Sequence, residues 1–135
     1  EPFYFGKHMS CEKIILIVED DPDCAVLLDT ILSHCGYKHL MANTGKAAMK
    51  IIDEEPCDGI FLDISLPDID GIEIARYAKD KKGPSFPIIA LTGYSAGELK
   101  NINPHALDSF REVCEKPFDV QKIEKTLQKH FPKVL

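Results

Sequence analysis

The stretch from Asp58 to Gly71 reads D-G-I-F-L-D-I-S-L-P-D-I-D-G and joins a strand pattern to a turn pattern. Its first half, Gly59 to Leu62, is a short apolar run typical of a strand buried on both faces, and it ends at an acid, Asp63. Its second half contains proline, aspartate and glycine, so Asp63 stands where a strand becomes a loop. In open α/β sheets, ligands bind at that edge, beyond the carboxyl ends of the strands. The stretch therefore predicts a functional carboxylate at the mouth of a parallel sheet.

Four further runs of strand length alternate with helical patterns along the chain. The runs are Lys13–Val18, Tyr37–Ala42, Phe86–Leu91 and Arg111–Glu115. Helices are expected from Pro22 to Gly36, over Ala47 to Ile52, from Ile72 to Asp80, from Ser95 to Asn103 and from Asp119 to Phe131, with an added helical turn over His105–Phe110. This alternation predicts the α/β class, with a five-stranded parallel sheet doubly wound as (βα)5 and right-handed crossovers. The expected strand order is the flavodoxin-like 2-1-3-4-5.

Helical spacing predicts which side chains of the first and last helices face the sheet. The predicted inward residues are Val26, Leu27, Ile31, Leu32 and Cys35 in the first helix, and Val120, Ile123, Leu127 and Phe131 in the last. The histidines form no cluster in the sequence and are predicted to face solvent. They are His34, His39, His105 and His130.

Length and composition indicate one globular domain, since 135 residues with 44% hydrophobic side chains can bury a core without staples. The formal net charge of −6 offers no basic surface for direct nucleic-acid binding or for anionic lipid. The five cysteines lack zinc or C-x-x-C spacing, which is typical of reduced thiols in a cytoplasmic protein. No apolar run approaches the ~20 residues that would span a bilayer, and no cleavable leader is expected.

The first nine residues, E-P-F-Y-F-G-K-H-M, do not read like the start of a domain. They resemble a viral protease cleavage site followed by a cloning remnant, E-N-L-Y-F-Q-G-H-M. We therefore predict that residues 1–9 are a tag remnant and that residues 10–135 form the domain.

Polar residues follow the predicted strands at their carboxyl ends. Glu19 and Asp20 follow the first strand, Asp63 the third, Thr92 the fourth and Lys116 the fifth. In the order 2-1-3-4-5 the first and third strands are neighbours, so the three acids would share a pocket. Crowded carboxylates repel one another, and an oxygen-only ligand set suits Mg²⁺. Together with a lysine and a threonine hydroxyl, such a site could neutralise and align a transferring phosphoryl group, and a carboxylate can itself accept it.

At these residues the sequence resembles the receiver domains of two-component response regulators. The segment I-L-I-V-E-D-D-P is similar to the family's acidic pair, F-L-D-I-S-L-P-D-I-D-G to its phosphoacceptor segment, I-I-A-L-T-G to its threonine strand and E-K-P-F to its lysine motif. The resemblance spans about Lys13 to Phe131. It implies that Asp63 accepts a phosphoryl group and that Thr92 and Lys116 respond to it. It further implies that Mg²⁺ is held by Glu19, Asp20, Asp63 and the Ser65 carbonyl, and that the Lys116–Pro117 bond is cis.

The resemblance also implies partners, namely a histidine kinase or a histidine phosphotransfer domain acting in the cytoplasm. Whether such a domain counts as an enzyme stays open, since it catalyses its own phosphorylation and dephosphorylation but is mainly a signalling module. Ser65 and Tyr94 occupy the family positions that flank the attacking water. On the fifth strand the family often has a swinging aromatic residue where this chain has Val113, so we expect the loop after Thr92 to carry the response.

Three other functions share parts of this pattern. A phosphatase of the haloacid dehalogenase type would need an acid at Ser65. A calcium-binding loop is suggested by Asp68, Asp70 and Gly71, but its flanking ligand positions fall on Leu66 and Tyr77. The third rival is a degenerate receiver that binds partners without being phosphorylated, and the intact acids speak against it.

Overall fold

A computed structural model describes residues 12–133. The predicted tag remnant, residues 1–9, lies outside this range. Five strands alternate with five helices, as the sequence predicts. The strands are β1 (Ile14–Val18), β2 (Lys38–Ala42), β3 (Gly59–Asp63), β4 (Ile88–Thr92) and β5 (Glu112–Glu115). The helices are α1 (Pro22–His34), α2 (Gly45–Glu54), α3 (Gly71–Lys82), α4 (Ala96–Ile102) and α5 (Val120–His130).

All strand pairs are parallel, and their order is β2-β1-β3-β4-β5. The predicted fold class and strand order are therefore confirmed. Val18 of β1 pairs with Leu62 of β3, so the next residues, Glu19 and Asp63, leave the sheet at the same level. This register brings two carboxylates together that lie 44 positions apart in the chain.

The core consists of two layers, one on each face of the sheet, because alternate strand residues point to opposite faces. One layer joins Ile15, Ile17 and Phe61 to α1 and α5, and the other joins Leu16, Ile60 and further strand residues to α2 and α3. All of these side chains are buried. None of the helices within residues 12–133 combines the length and the apolar character needed to cross a bilayer.

Local sequence signals explain where the helices begin. The side chains of Asp21, Thr44, Asp70, Ser95 and Asp119 each accept a hydrogen bond from a backbone N–H in the first turn of the helix that follows. Such caps satisfy amides that have no partner within the helix. Every helix that starts beside the carboxyl edge of the sheet is therefore fixed at its first turn.

Two predicted core positions are wrong. Val26 of α1 is 64% exposed and Val120 of α5 is 45% exposed, whereas Leu28, which was not singled out, is fully buried. Ile31, Leu32, Ile123 and Leu127 do face the sheet. In α1, the stripe that packs on the sheet is therefore shifted from Val26 toward Leu28.

Two predicted solvent-facing histidines are also wrong. The His39 side chain is 11% exposed and pairs with Asp29 at 2.6 Å, and the His130 side chain is 8% exposed and pairs with Glu112 at 2.7 Å. Each pair joins a helix to a strand, which local sequence does not reveal. The segment His105–Phe110 forms successive turns instead of a regular helical turn, since only alternate amides, those of Ala106, Asp108 and Phe110, bond to carbonyls three residues back.

Candidate functional site

The carboxyl edge of the sheet gathers the residues that the sequence singles out. Ligand oxygens of Glu19, Asp20 and Asp63 lie within 4.8 Å of one another, and Lys116 reaches into the same place from the loop after β5. Its Nζ lies 2.7 Å from Glu19 Oε1 and 3.4 Å from Asp63 Oδ2. We call these four residues the acid pocket.

Backbone amides orient the two buried carboxylates. Ser65 N–H donates to Asp63 Oδ1 at 2.9 Å, and Asp21 N–H donates to Glu19 Oε2 at 3.2 Å. Glu19 and Asp63 are nearly inaccessible to solvent, whereas Asp20 is exposed. The pocket therefore has a rigid buried floor and one acid at its mouth.

The pKa values of the three acids shift in different directions. Burial, followed by hydrogen bonding to Asp63, raises the pKa of Glu19 to about 7, and burial and Asp63 also raise the pKa of Asp20. Burial opposes ionisation of Asp63 as well, but hydrogen bonds from Glu19 and from the Ser65 amide outweigh it and lower its pKa. Asp63 is therefore the more acidic of the two buried groups, and Glu19 takes up a proton more readily.

The pocket fits a hard divalent cation. Three carboxylates face Lys116, which leaves an excess of negative charge in a mostly buried place. Among the described residues, the buried Glu19 Oε1 has no hydrogen bond of suitable geometry, and its one charged neighbour is Lys116 Nζ at 2.7 Å. One lysine does not balance three carboxylates, so the excess negative charge favours a further cation, and oxygen-only ligands suit Mg²⁺.

Thr92 lies at the end of β4, beside β3, and is 1% exposed. Its Oγ1 accepts the Tyr94 N–H at 3.0 Å, and its carbonyl accepts the Lys116 N–H at 2.7 Å. Thr92 therefore connects the loop that leads to α4 with the loop that carries Lys116. The Lys116–Pro117 bond is cis, as the resemblance implies.

Sequence reasoning missed the contact of one residue at this edge, Asp68, which it considered as part of a turn and as a candidate calcium ligand. The Asp68 carboxylate bonds to the start of α2, 23 positions away. A surface cavity lined by Tyr37, Glu124 and Lys133 is a separate feature, because it contains no residue of the acid pocket.

Comparisons with known proteins agree with this geometry. Residues 15–128 match the family model of the response regulator receiver domain. Sporulation initiation phosphotransferase F of Bacillus subtilis is 34% identical over 124 residues, which cover 92% of this chain and 97% of that protein. The transcriptional regulatory protein ZraR of Klebsiella oxytoca is 33% identical over 122 residues, which cover 88% of this chain but only 26% of ZraR.

A solved structure of a response regulator has the same fold as this chain. The response regulator TrrA of Thermotoga maritima, crystallised in complex with Mg²⁺ and BeF, superimposes with a TM-score of 0.77 at 30% sequence identity. The superposition covers 88% of this chain and 99% of that one. The fold of this chain is thus that of a known family.

Proposed function

Because the chain belongs to the family of response regulator receiver domains, we propose that it is a phosphoacceptor of a two-component system or phosphorelay, with Asp63 as the residue that receives the phosphoryl group. The observation that carries the proposal is the acid pocket, where three carboxylates and Lys116 meet at the carboxyl ends of β1, β3 and β5. The same edge is where open α/β sheets place their chemistry.

Asp63 has the properties that a nucleophile needs. Its low pKa keeps it ionised at neutral pH, and its Oδ1 is held by the Ser65 amide. A carboxylate oxygen of Asp63 attacks the phosphorus of a phosphohistidine, so an O–P bond forms while the N–P bond breaks. The departing imidazole nitrogen keeps the electron pair of the broken bond. The product is an acyl phosphate on Asp63.

The neighbouring residues neutralise and read the charge of the phosphoryl group. Mg²⁺ held by Glu19, Asp20, Asp63 and the Ser65 carbonyl would supply positive charge to the phosphoryl oxygens. Lys116, 3.4 Å from Asp63, adds a second positive charge and loses its tie to a free carboxylate once Asp63 is esterified. The hydroxyl of Thr92 is a further donor at the same edge.

The donor is a phosphohistidine on a histidine kinase or a histidine phosphotransfer domain. We expect it to dock on α1 and on the loop after Asp63, next to the acid pocket. In support, α1 begins at Pro22, directly after the acids, and exposes Val26 by 64%. We expect this exchange in the cytoplasm, without direct nucleic-acid contact.

Two alternatives fit the site less well. A degenerate receiver that acts without phosphorylation would not need the acids, Thr92 and Lys116 together. An aspartyl-phosphate phosphatase would need a second acid at position 65, where the chain has Ser65 and its side chain is no carboxylic acid.

Acetyl phosphate with and without Mg²⁺ separates these functions, with intact mass as the measurement. We expect one base-labile phosphoryl group per chain, formed only with Mg²⁺, and none on Asp63→Asn. The matched control is Asp58→Asn, at the opposite end of the same strand, where the side chain bonds to Ile14 N–H. This variant should be labelled like the wild type.

Other results of the acetyl phosphate experiment would indicate another function or another phosphorylated residue. Many turnovers without accumulation would indicate a phosphatase, and no labelling would indicate a binding module. Base-labile phosphate that persists on Asp63→Asn would overturn the assignment of Asp63. Lys116→Ala should still be phosphorylated but should lose much of the structural response.

A further inference from the structure

Asp68 joins two loops that are distant in sequence. Its Oδ1 accepts the Gly45 N–H at 2.8 Å and its Oδ2 accepts the Lys46 N–H at 2.9 Å. These amides belong to the first turn of α2, where no carbonyl within the helix can satisfy them. The helix dipole also favours a negative charge there. Asp68 therefore binds the segment between β3 and α3 to the start of α2.

The two segments pack without spare room at this bond. A Cβ placed on Gly45 would come within 2.8 Å of Ile69 Cβ and 3.1 Å of Asp68 Oδ1. Any side chain at position 45 would push the segment away from α2. The chain thus has a glycine where the close approach requires one.

The other end of the segment is equally confined. Gly71 N–H donates to the Ile64 carbonyl at 3.1 Å, and a Cβ on Gly71 would come within 2.6 Å of Ile64 Cα and 2.9 Å of the Asp63 carbonyl. Residues 64–71 therefore form a closed loop on Asp63, which the Ile64 N–H joins to the Leu91 carbonyl of β4 and Asp68 joins to α2. Ser65 lies inside this loop.

Asp68 takes no part in the phosphoryl transfer described above, since it is not among the acids that converge on the pocket. The hydrogen bonds from Gly45 and Lys46 hold its pKa below the usual range, so the carboxylate stays charged in this contact. Its geometry calls for a role besides that of a turn former, because a turn needs no partner on another helix.

We propose that Asp68 is a positioning residue of the Mg²⁺ site. By attaching the loop to α2, it fixes the Ser65 carbonyl relative to Glu19, Asp20 and Asp63 before the metal binds. Residues that orient metal ligands from outside are worth about 10- to 100-fold in metal affinity. The inference rests on the proposed function, because it assumes that Mg²⁺ binds in the acid pocket.

Titration calorimetry with Mg²⁺ alone on the unphosphorylated protein tests the role. In Asp68→Asn the amide oxygen can accept one of the two N–H groups, but its NH₂ faces the other. We expect the dissociation constant for Mg²⁺ to rise about tenfold. The matched control is Asp70→Asn, which removes the same charge from the same loop but alters a bond within its own helix only. Its Mg²⁺ affinity should equal that of the wild type.

Gly45→Ala tests the same attachment from the other side. It keeps both N–H donors but forces the loop away, so it should also weaken Mg²⁺ binding. If Asp68→Asn does not fold, this variant decides the question. With acetyl phosphate, both variants should need more Mg²⁺ for half-maximal labelling and should reach the wild-type rate when Mg²⁺ is saturating.

The outcomes separate this inference from the proposed function. If the wild type does not bind Mg²⁺, the proposed function fails and the inference fails with it. If the wild type binds Mg²⁺ and Asp68→Asn binds it equally well, only the positioning role is overturned. Equal weakening in Asp68→Asn and Asp70→Asn would reveal a simple charge effect and would also overturn it.

Discussion

Two clusters on the same sheet are both built from acidic and basic side chains, but they differ in the ratio of negative to positive groups. The acid pocket, at the carboxyl edge, gathers Glu19, Asp20 and Asp63 around Lys116. The second, which we call the Glu112 cluster, joins Glu112 of β5 to Lys122 at 2.6 Å and to His130 at 2.7 Å, both on α5. In the pocket several acids share one lysine, whereas in the cluster one acid has several partners.

The two glutamates respond in opposite directions. Burial and the neighbouring Asp63 raise the pKa of Glu19 to about 7. Burial also opposes ionisation of Glu112, but its hydrogen bonds with Lys122 and His130 outweigh that effect and lower its pKa. The difference comes from the neighbours and not from depth alone, since both side chains are largely shielded from solvent. Excess charge prepares the pocket for a cation, while balanced charge holds β5 against α5.

The largest expected effect is a gain in stability when the pocket loses an acid. Glu19→Gln removes the charge that burial and the neighbouring Asp63 oppose, as the raised pKa of Glu19 indicates, and gives up one ion pair with Lys116. We expect the free energy of unfolding in Mg²⁺-free buffer to rise by about 2 kcal/mol, for an effective dielectric constant of about 20. Urea denaturation at pH 7 measures it. A loss of stability would mean that the pocket is balanced without metal.

The Glu112 cluster should behave in the opposite way. Glu112→Gln replaces charged hydrogen bonds by weaker ones, so the free energy of unfolding should fall by about 1.5 kcal/mol. Because the pKa of Glu112 is lowered in the folded state, its contribution is present above the usual carboxyl pKa and is lost as the pH falls through the folded value. The gap between variant and wild type should therefore close below about pH 4.3. A gap that persists at lower pH would contradict the ionic origin.

The acid pocket could be predicted from sequence, whereas the Glu112 cluster could not. Glu19 and Asp63 each follow an apolar run, and the strand order alone brings the ends of such runs together. His130 and Glu112 lie on different elements, and their contact depends on how α5 packs across β5. No local pattern carries that information, so His130 was assigned to solvent.

Helix faces show the same limit. The apolar spacing of α1 placed Val26 inward, but the helix packs on the sheet through Leu28, Ile31 and Leu32. The apolar residues of α1 form a wide stripe along the helix. Which edge of this stripe the sheet buries depends on the angle at which the helix packs. The role of Asp68 was missed for a related reason. Its partners are backbone amides of another helix, and the residues next to Asp68 in the sequence do not indicate them.

A smaller effect is expected at the mouth of the pocket. Tyr94 is 45% exposed, and its amide is held by Thr92 Oγ1. Under the proposed function, this bulky ring hinders the water that attacks the acyl phosphate, so Tyr94→Ala should shorten the lifetime of phosphorylated Asp63. Decay of the phosphorylated form after removal of the phosphoryl donor measures this. Equal lifetimes would exclude a role for the ring.

The smallest effect should fall on β5 and α5 when the pocket is phosphorylated. Val113 is a β-branched, half-buried residue with one preferred χ1 rotamer, so it offers no ring that could swing between two positions. The adjacent Glu112 is tied to α5 by the balanced cluster. Both features oppose movement on this side of the sheet.

The response should instead follow Thr92, whose hydroxyl holds the loop that leads to α4. If Thr92 turns toward the phosphoryl group, its bond to the Tyr94 amide is released, and residues 93–103 can rearrange. Allosteric couplings are typically about 1 to 3 kcal/mol, which a loop of this size can supply. We therefore expect amide chemical shifts, compared with and without a phosphoryl mimic and Mg²⁺, to change most between Thr92 and Asn103 and little at Val113 and along α5. If the largest changes fall on Val113 and α5 instead, the Glu112 cluster rearranges on phosphorylation. The difference between the two clusters would then not determine which elements respond to the phosphoryl group.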